Sequence, residues 1–230
     1  MRVAVVTVGD ELLVGETVDT NAAWLGERLL DRGVTVERMT TVPDRAADIA
    51  RVANEYHADY DAVVVTGGLG PTHDDVTIEG VAAAFGRDVV RSEEAIEWLT
   101  EQGGYSHEEL ADGTGEVPEG SRVLPNHEGV APGCVVENCY VLPGVPAEMK
   151  RMFAEVAEEF AGEQRHVVTV DATEPESALL DRMATVRRLF PVTVGSYPGE
   201  YVTVRFEGTD TEAVEEAATW LRERVDPVEE

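Results

Sequence analysis

The stretch Ala62-Val63-Val64-Val65-Thr66-Gly67-Gly68-Leu69-Gly70-Pro71-Thr72-His73-Asp74-Asp75-Val76-Thr77 decides how this chain is read. A short apolar run that ends in glycines predicts a buried strand, as in parallel sheets covered by helices. Three glycines then lead into Ile78, Val81, Ala82 and Phe85 at helical spacing, with Gly86 at the helix end. Strand, glycine loop and helix N-terminus in that order bring backbone N–H groups together where the sheet's carboxyl edge opens, a geometry that favours a phosphate. Glycine also lets a ligand approach the backbone and lets the loop take positive φ. Thr66, Gly67, Gly68, Gly70, Pro71 and Thr72 are therefore candidate phosphate contacts. The alternative is a tight βα turn without a ligand. The loop lacks the Gly-Lys-Ser/Thr end of a Walker motif and is not a dinucleotide GxGxxG fingerprint.

Outward from this segment, the first 160 residues alternate strand and helix patterns. They predict an α/β fold with a mostly parallel sheet and helices on both faces. Val3 to Val8 reads as the first strand. A helix from about Thr20 to Arg32, stopped by Gly33, carries Ala22, Leu25 and Leu29 on one face. Val34 to Thr41 is a strand, and Pro43-Asp44 opens a helix with Ile49, Val52, Ala53 and Tyr56 on one side. Ser92 caps a further helix that Gly103-Gly104 stops, and the weakly patterned stretch to about Val130 reads as an excursion over the site. Two short strands follow, near Cys134 to Val136 and Cys139 to Leu142, then a helix from about Pro146 to Phe160. Beyond Ala161-Gly162-Glu163 the rhythm changes to β-α-β-β-α. The expected division is 1–162 for the ligand-binding domain and 163–230 for a small α+β domain.

Composition narrows the function classes. The chain has 46 acidic and 18 basic residues, a formal charge of -28, and Lys150 is its only lysine. Such an excess repels nucleic-acid phosphates and anionic lipid, so neither a nucleic-acid nor a membrane partner is expected. The even spread of acid resembles that of halophilic proteins, whose carboxylate surfaces stay hydrated while salt screens their repulsion. No apolar run approaches the roughly 20 residues of a membrane span. The N-terminus reads as a buried strand rather than a signal peptide, which makes a cytoplasmic location the expectation. Cys134 and Cys139 lack the partner ligands of a zinc site and read as free thiols. His73, His107 and His127 show no metal-ligand spacing to one another.

Carboxylates complicate the glycine loop. Asp74 and Asp75 would repel a phosphate unless a cation lay between them, and magnesium binds in this way, through one or two carboxylates plus phosphate oxygens. Thr72-x-x-Asp75 is also a capping-box pattern, so Asp75 has a helix-terminus alternative. Asp44 likewise reads as a helix N-cap on its own. In a parallel sheet, however, Gly9-Asp10-Glu11, Pro43-Asp44 and the glycine loop reach one edge, so Asp10, Asp44 and Asp75 converge. Pro143-Gly144 and Pro146 give a turn and a helix start at a later strand end, with Glu148 and Lys150 just beyond.

Together these segments resemble the molybdopterin-binding family, MoaB/MogA-like, and within it the N-terminal region of CinA-type proteins. The matching pieces are Val8-Gly9-Asp10-Glu11-Leu12-Leu13, Thr20-Asn21-Ala22-Ala23-Trp24-Leu25, Val42-Pro43-Asp44, Thr66 through Thr77, Pro125-Asn126, Gly133, and Leu142 through Met149, in family order. Pro191 to Pro198 with Val202 to Arg205 resembles the small domain that follows in CinA-type chains. No segment resembles their C-terminal amidase domain, so nicotinamide-nucleotide deamidation is not expected. The resemblance implies a ligand that is a nucleotide or pterin, and catalytic positions at Asp44 and Asp75 with Asp74 assisting. It also implies contacts from Asp10, Glu11, Asn21, Pro143, Gly144 and Glu148. CinA-type domains imply metal-dependent hydrolysis of a dinucleotide pyrophosphate of the ADP-ribose or FAD class, with Asp75 and Asp74 at the cation, magnesium first and manganese or cobalt as substitutes. Asp44 would position the attacking water. The relatives named for molybdenum-cofactor synthesis imply adenylyl transfer instead, and a noncatalytic binding module is a third alternative. A homo-oligomer is expected.

Overall fold

The structure, a computed structural model, describes residues 1–70, 72–101, 113–226 and 228. Pro71, His107 and the expected helix stop at Gly103-Gly104 lie outside the described residues. The chain forms two compact units, Met1–Gly162 and Glu163–Glu230.

The first unit contains β1 (Arg2–Val8), α1 (Asp10–Leu13), α2 (Thr20–Asp31), β2 (Thr35–Val42), α3 (Ala46–Asp59), β3 (Ala62–Thr66) and α4 (Thr77–Ala84). It continues with β4 (Val89–Arg91), α5 (Glu93–Glu101), β5 (Glu116–Pro118), β6 (Arg122–Leu124), β7 (Gly133–Val136), β8 (Cys139–Leu142) and α6 (Pro146–Val156). Six strands form one sheet in the order β2-β1-β3-β8-β7-β6. β1 pairs in parallel with β2 and β3, and β3 with β8, whereas β7 runs antiparallel to both its neighbours. The expected mostly parallel α/β sheet is the one observed.

Side-chain alternation sends successive residues of each buried strand to opposite layers. Ala4, Val6, Val8, Val63 and Val65 pack with Ile49, Val52 and Tyr56 of α3 and Val81 of α4. Val3, Val5, Ala62 and Val64 pack with Leu25 and Leu29 of α2 and with Met149, Met152 and Phe153 of α6. Gly80 lets α4 approach α3, since a Cβ there would stand 2.7 Å from the Ile49 side chain. Because α2 and α3 cover opposite faces while β2 and β3 flank β1, the chain reverses direction at β1/β3, the kind of place where α/β sheets hold ligands.

Three local expectations are corrected. α3 starts at Ala46, because the Pro43–Arg45 segment forms its own turn, Arg45 N–H to Pro43 O at 2.7 Å. α6 ends at Val156, and a 3-10 turn over Ala157–Glu159 delivers Phe160 in extended conformation onto the Tyr140 and Phe153 rings. The excursion before Val130 contains β5 and β6, whose three residues each are too few for a readable period. Ser92 accepts from the Ala95 N–H, as its expected capping role requires. Cys134 and Cys139 are free and buried. Burial pushes the Cys134 thiol up to about 12 and raises that of Cys139 as well, so neither is a ready nucleophile.

The second unit comprises β9 (His166–Ala172), α7 (Glu176–Leu189), β10 (Thr193–Pro198), β11 (Val202–Gly208) and α8 (Thr211–Arg222). Its antiparallel sheet, in the order β10-β11-β9, is covered by Leu179, Met183 and Val186 of α7 and Val214 and Leu221 of α8. Asp210 caps α8 through the N–H groups of Glu212 and Ala213. Arg182 grips Glu174 with two bonds of 2.8 and 2.6 Å and holds that carboxyl below its ordinary range. Among the described residues no helix is long and apolar enough to cross a membrane.

Candidate functional site

The parallel strands β1, β2, β3 and β8 all end at one edge of the sheet, and the chain after each builds the site there. Gly67 takes φ +108°, and a Cβ on it would collide with the Val8 carbonyl oxygen. Gly68 has φ +62° and lies against the Thr77 hydroxyl, which is buried without a partner at the start of α4. The loop after β8 is tied to β3. Thr66 donates its hydroxyl to Pro143 O (2.7 Å), Asn21 Nδ2 donates to Gly144 O (2.7 Å), and a Cβ on Gly144 would stand 3.2 Å from the Gly67 Cα. Asn21 Oδ1 is buried and unpaired.

The acidic side chains fall into two sets. At the ends of β1 and β2, Asp44 Oδ2 accepts from the Asp10 N–H (2.8 Å), so it satisfies the first turn of α1 rather than capping α3. The parallel register pairs Val8 with Val42, and that places both turns at one level. Glu11 folds back over Gly9. In the glycine loop, Asp75 Oδ2 accepts from the Thr72 N–H (3.1 Å) and from the Thr72 hydroxyl, closing a turn that ends before α4. The capping-box alternative therefore does not hold for α4, whose N-cap Val76 receives no side-chain bond. Asp74 is exposed, and its carboxyl is held below the ordinary range, first by the Thr72 side chain and then by a backbone N–H.

Beside the glycine loop opens a cleft of about 790 Å³, a size that fits a nucleotide-scale ligand. Its walls are Gly68 to Gly70 with Thr72, His73 and Asp75, then Ile78 and Glu79 of α4, the segment Gly113 to Glu116, the segment Gly129 to Pro132, and Pro143 to Val145 with Glu148. Of the expected contacts, Gly68, Gly70, Thr72, Asp75, Pro143, Gly144 and Glu148 line it. Thr66 and Asn21 are tied to the Pro143-Gly144 wall by the bonds above, Gly67 lies against Gly144, and Asp10, Glu11, Asp44 and Asp74 are not on its walls.

Sequence reading did not single out Glu79, Glu116 or Asn126 as site residues. Asn126 is 1% exposed and donates to Glu148 Oε2 at 2.7 Å. The signal available was Asn126 followed by Gly129, the spacing of a side-chain-closed turn. The described walls carry four carboxylates, Asp75, Glu79, Glu116 and Glu148, and no lysine or arginine. Among the described residues no three His, Cys, Asp or Glu side chains form a ready-made metal cage. Asp75 is the glycine-loop carboxylate on the described walls, and its Oδ2 is taken by the two Thr72 donors.

Comparison with known proteins agrees with this layout. Residues 4–162 match the family described as "Probable molybdopterin binding domain". A protein of Archaeoglobus fulgidus is 40% identical over 225 residues, 97% of each chain. A CinA-like protein of Citrifermentans bemidjiense is 39% identical over 242 residues, and the chain spans 98% of its own length but 58% of that relative. The crystal structure of CinA from Thermoplasma acidophilum matches at TM-score 0.64 and 34% identity, covering 70% of this chain and 99% of that one. A sheet edge built as described and a family match over residues 4–162 lead to one conclusion: the chain belongs to the molybdopterin-binding domain family, as a CinA-like member.

Proposed function

We propose that the first unit hydrolyses the pyrophosphate bridge of a dinucleotide of the ADP-ribose or FAD class, with a divalent cation as cofactor. The observation that carries this reading is the charge of the cleft, a phosphate-seeking glycine loop facing four carboxylates with no lysine or arginine on the described walls. At an effective dielectric near 20, each phosphate–carboxylate pair about 5 Å apart repels by roughly 3 kcal/mol. A diphosphate could not stay there on backbone N–H groups alone. Asp75, the glycine-loop carboxylate on the walls, would hold a divalent cation, magnesium or else manganese or cobalt. Such an ion supplies neutralisation of phosphate charge. Gly68 and Gly70 would offer N–H groups to the phosphate oxygens, and the apolar wall of Leu69, Ile78 and Val145 would exclude water from one side.

The expected result is release of AMP from ADP-ribose or FAD in molar KCl with magnesium, manganese or cobalt, read by chromatography, and none with a chelator. Turnover undiminished by the chelator, or absent with every cation, would reject the reading. Adenylyl transfer to a pterin is the second reading, favoured by the family match over residues 4–162. It gives a different product, an adenylylated pterin from ATP.

A further inference from the structure

We propose that Glu148 is the catalytic base of this cleft and that Asn126 is the positioning residue that aims it. The proposal rests on the hydrolytic reading above.

The hydrogen bonds of Asn126 leave it one orientation. Its Oδ1 accepts from the N–H groups of Glu128 (3.2 Å) and Gly129 (2.9 Å), which only an oxygen can do, so the amide cannot be flipped. Its two N–H donors go to Ala131 O (2.9 Å) and Glu148 Oε2 (2.7 Å). Three of these four bonds are to backbone of its own loop, and the fourth presents an N–H to one carboxylate. The loop also makes room for that carboxylate. A Cβ on Gly129 would stand 2.5 and 2.6 Å from the two Glu148 oxygens. Oε2 is thereby held, and Oε1 of this cleft-lining residue has no described hydrogen-bond partner.

Among the described residues, the other candidate carboxylates are less suited to receive a proton. Asp75 Oδ2 already takes two donors from Thr72 and lies at the phosphate-binding loop. Asp44 Oδ2 takes the Asp10 N–H and is not on the cleft walls. Glu79 is exposed, and neither it nor Glu116 has a described hydrogen-bond partner that would fix it. Glu148 sits in the first turn of α6, directly after Pro143-Gly144-Val145. Gly144 of that turn abuts Gly67, so the base and the phosphate loop are neighbouring walls. A neutral amide holds a carboxylate in place without neutralising it, as an arginine would.

In the step assigned to Glu148, the oxygen of a water bonds to one phosphorus while the bridging P–O bond breaks. The electron pair of that bond stays on the bridging oxygen. The water proton passes to Glu148 Oε1 and then to solvent, leaving two phosphomonoesters.

The test compares the full chain with Glu148→Gln and Asn126→Asp, using ADP-ribose and FAD with magnesium in molar KCl. Gln keeps the acceptor for Asn126 but cannot take the proton, so kcat should fall about 100-fold or more while KM changes less than about 3-fold. Asp at 126 keeps Oδ1 for the Gly129 N–H and sets a second carboxylate against Glu148. The acid limb of the kcat profile should move up by about one pH unit. His73, Asp75, Glu79 and Glu116 of the cleft, and Lys150, His127 and Glu155 around α6, are the same in both proteins, so a displaced limb reports Glu148. A Gln variant within about 3-fold of the parent kcat, or an Asp variant with an unmoved limb, overturns the proposal and leaves the hydrolytic reading standing. If the Gln variant does not fold, the Asp variant decides. A parent protein that cleaves neither substrate overturns both, and does so before any variant is compared.

Discussion

Replacing Asp75 with Asn should lower turnover of ADP-ribose or FAD about 100-fold or more, the loss of roughly 3 kcal/mol of transition-state stabilisation. The structure makes this substitution informative. Asn offers an oxygen to the Thr72 N–H and hydroxyl, the bonds that Asp75 Oδ2 now accepts, so the turn between them can persist. What is removed is charge on a cleft wall. If Asp75 serves only to close that turn, the Asn variant will keep nearly full activity. Initial rates at saturating magnesium, together with the thermal midpoint of each protein, separate the two cases. Activity within about 3-fold of the parent would remove Asp75 from the reaction.

Gly67→Ala should be among the most destabilising single changes in the first unit, by about 3 kcal/mol, the sum of backbone strain and overpacking. Its φ of +108° disfavours any side chain, and the added Cβ meets the Val8 carbonyl oxygen, which is backbone. Neither side can yield easily. β1 is held by parallel pairing to both β2 and β3, and the Gly67 N–H donates to Leu142 O at 3.2 Å. Gly86 is the natural control, since it has φ +63° but open space around its Cα, and Gly86→Ala should cost only about 1 kcal/mol. Denaturant midpoints of the two variants test this, and equal losses would mean that the contact with Val8 costs nothing.

Much of the fold was legible because its decisive signals are local. The apolar run of β3 and the helical spacing of Leu25 and Leu29, or of Ile49, Val52 and Tyr56, lie within single elements, and these side chains form the core. The short elements α1, β4, β5 and β6 carry too little periodicity to be read, whereas β7 and β8, four residues each, are legible as apolar runs. The site divides in the same way. The glycine loop and Asp75 are contiguous in sequence and recognisable together. Asp44 was legible as a residue at the sheet edge, but its bond to Asp10 depends on the register of β1 against β2. Asn126 and Glu148 are 22 residues apart, and what joins them is the packing of a loop against the first turn of α6. No spacing rule in the sequence encodes that contact.

The charge of the cleft can be tested without turnover, by titrating the protein calorimetrically with an ADP-ribose or FAD analogue whose bridging oxygen is replaced by a methylene group, at constant molar KCl, with magnesium or with a chelator. A cation-bridged ligand requires a Kd at least about tenfold lower with magnesium, or about 1.4 kcal/mol of linkage. The same Kd in both titrations would show that the cleft accepts a diphosphate unaided against the four carboxylates of its described walls, and would contradict a bridging role for the cation.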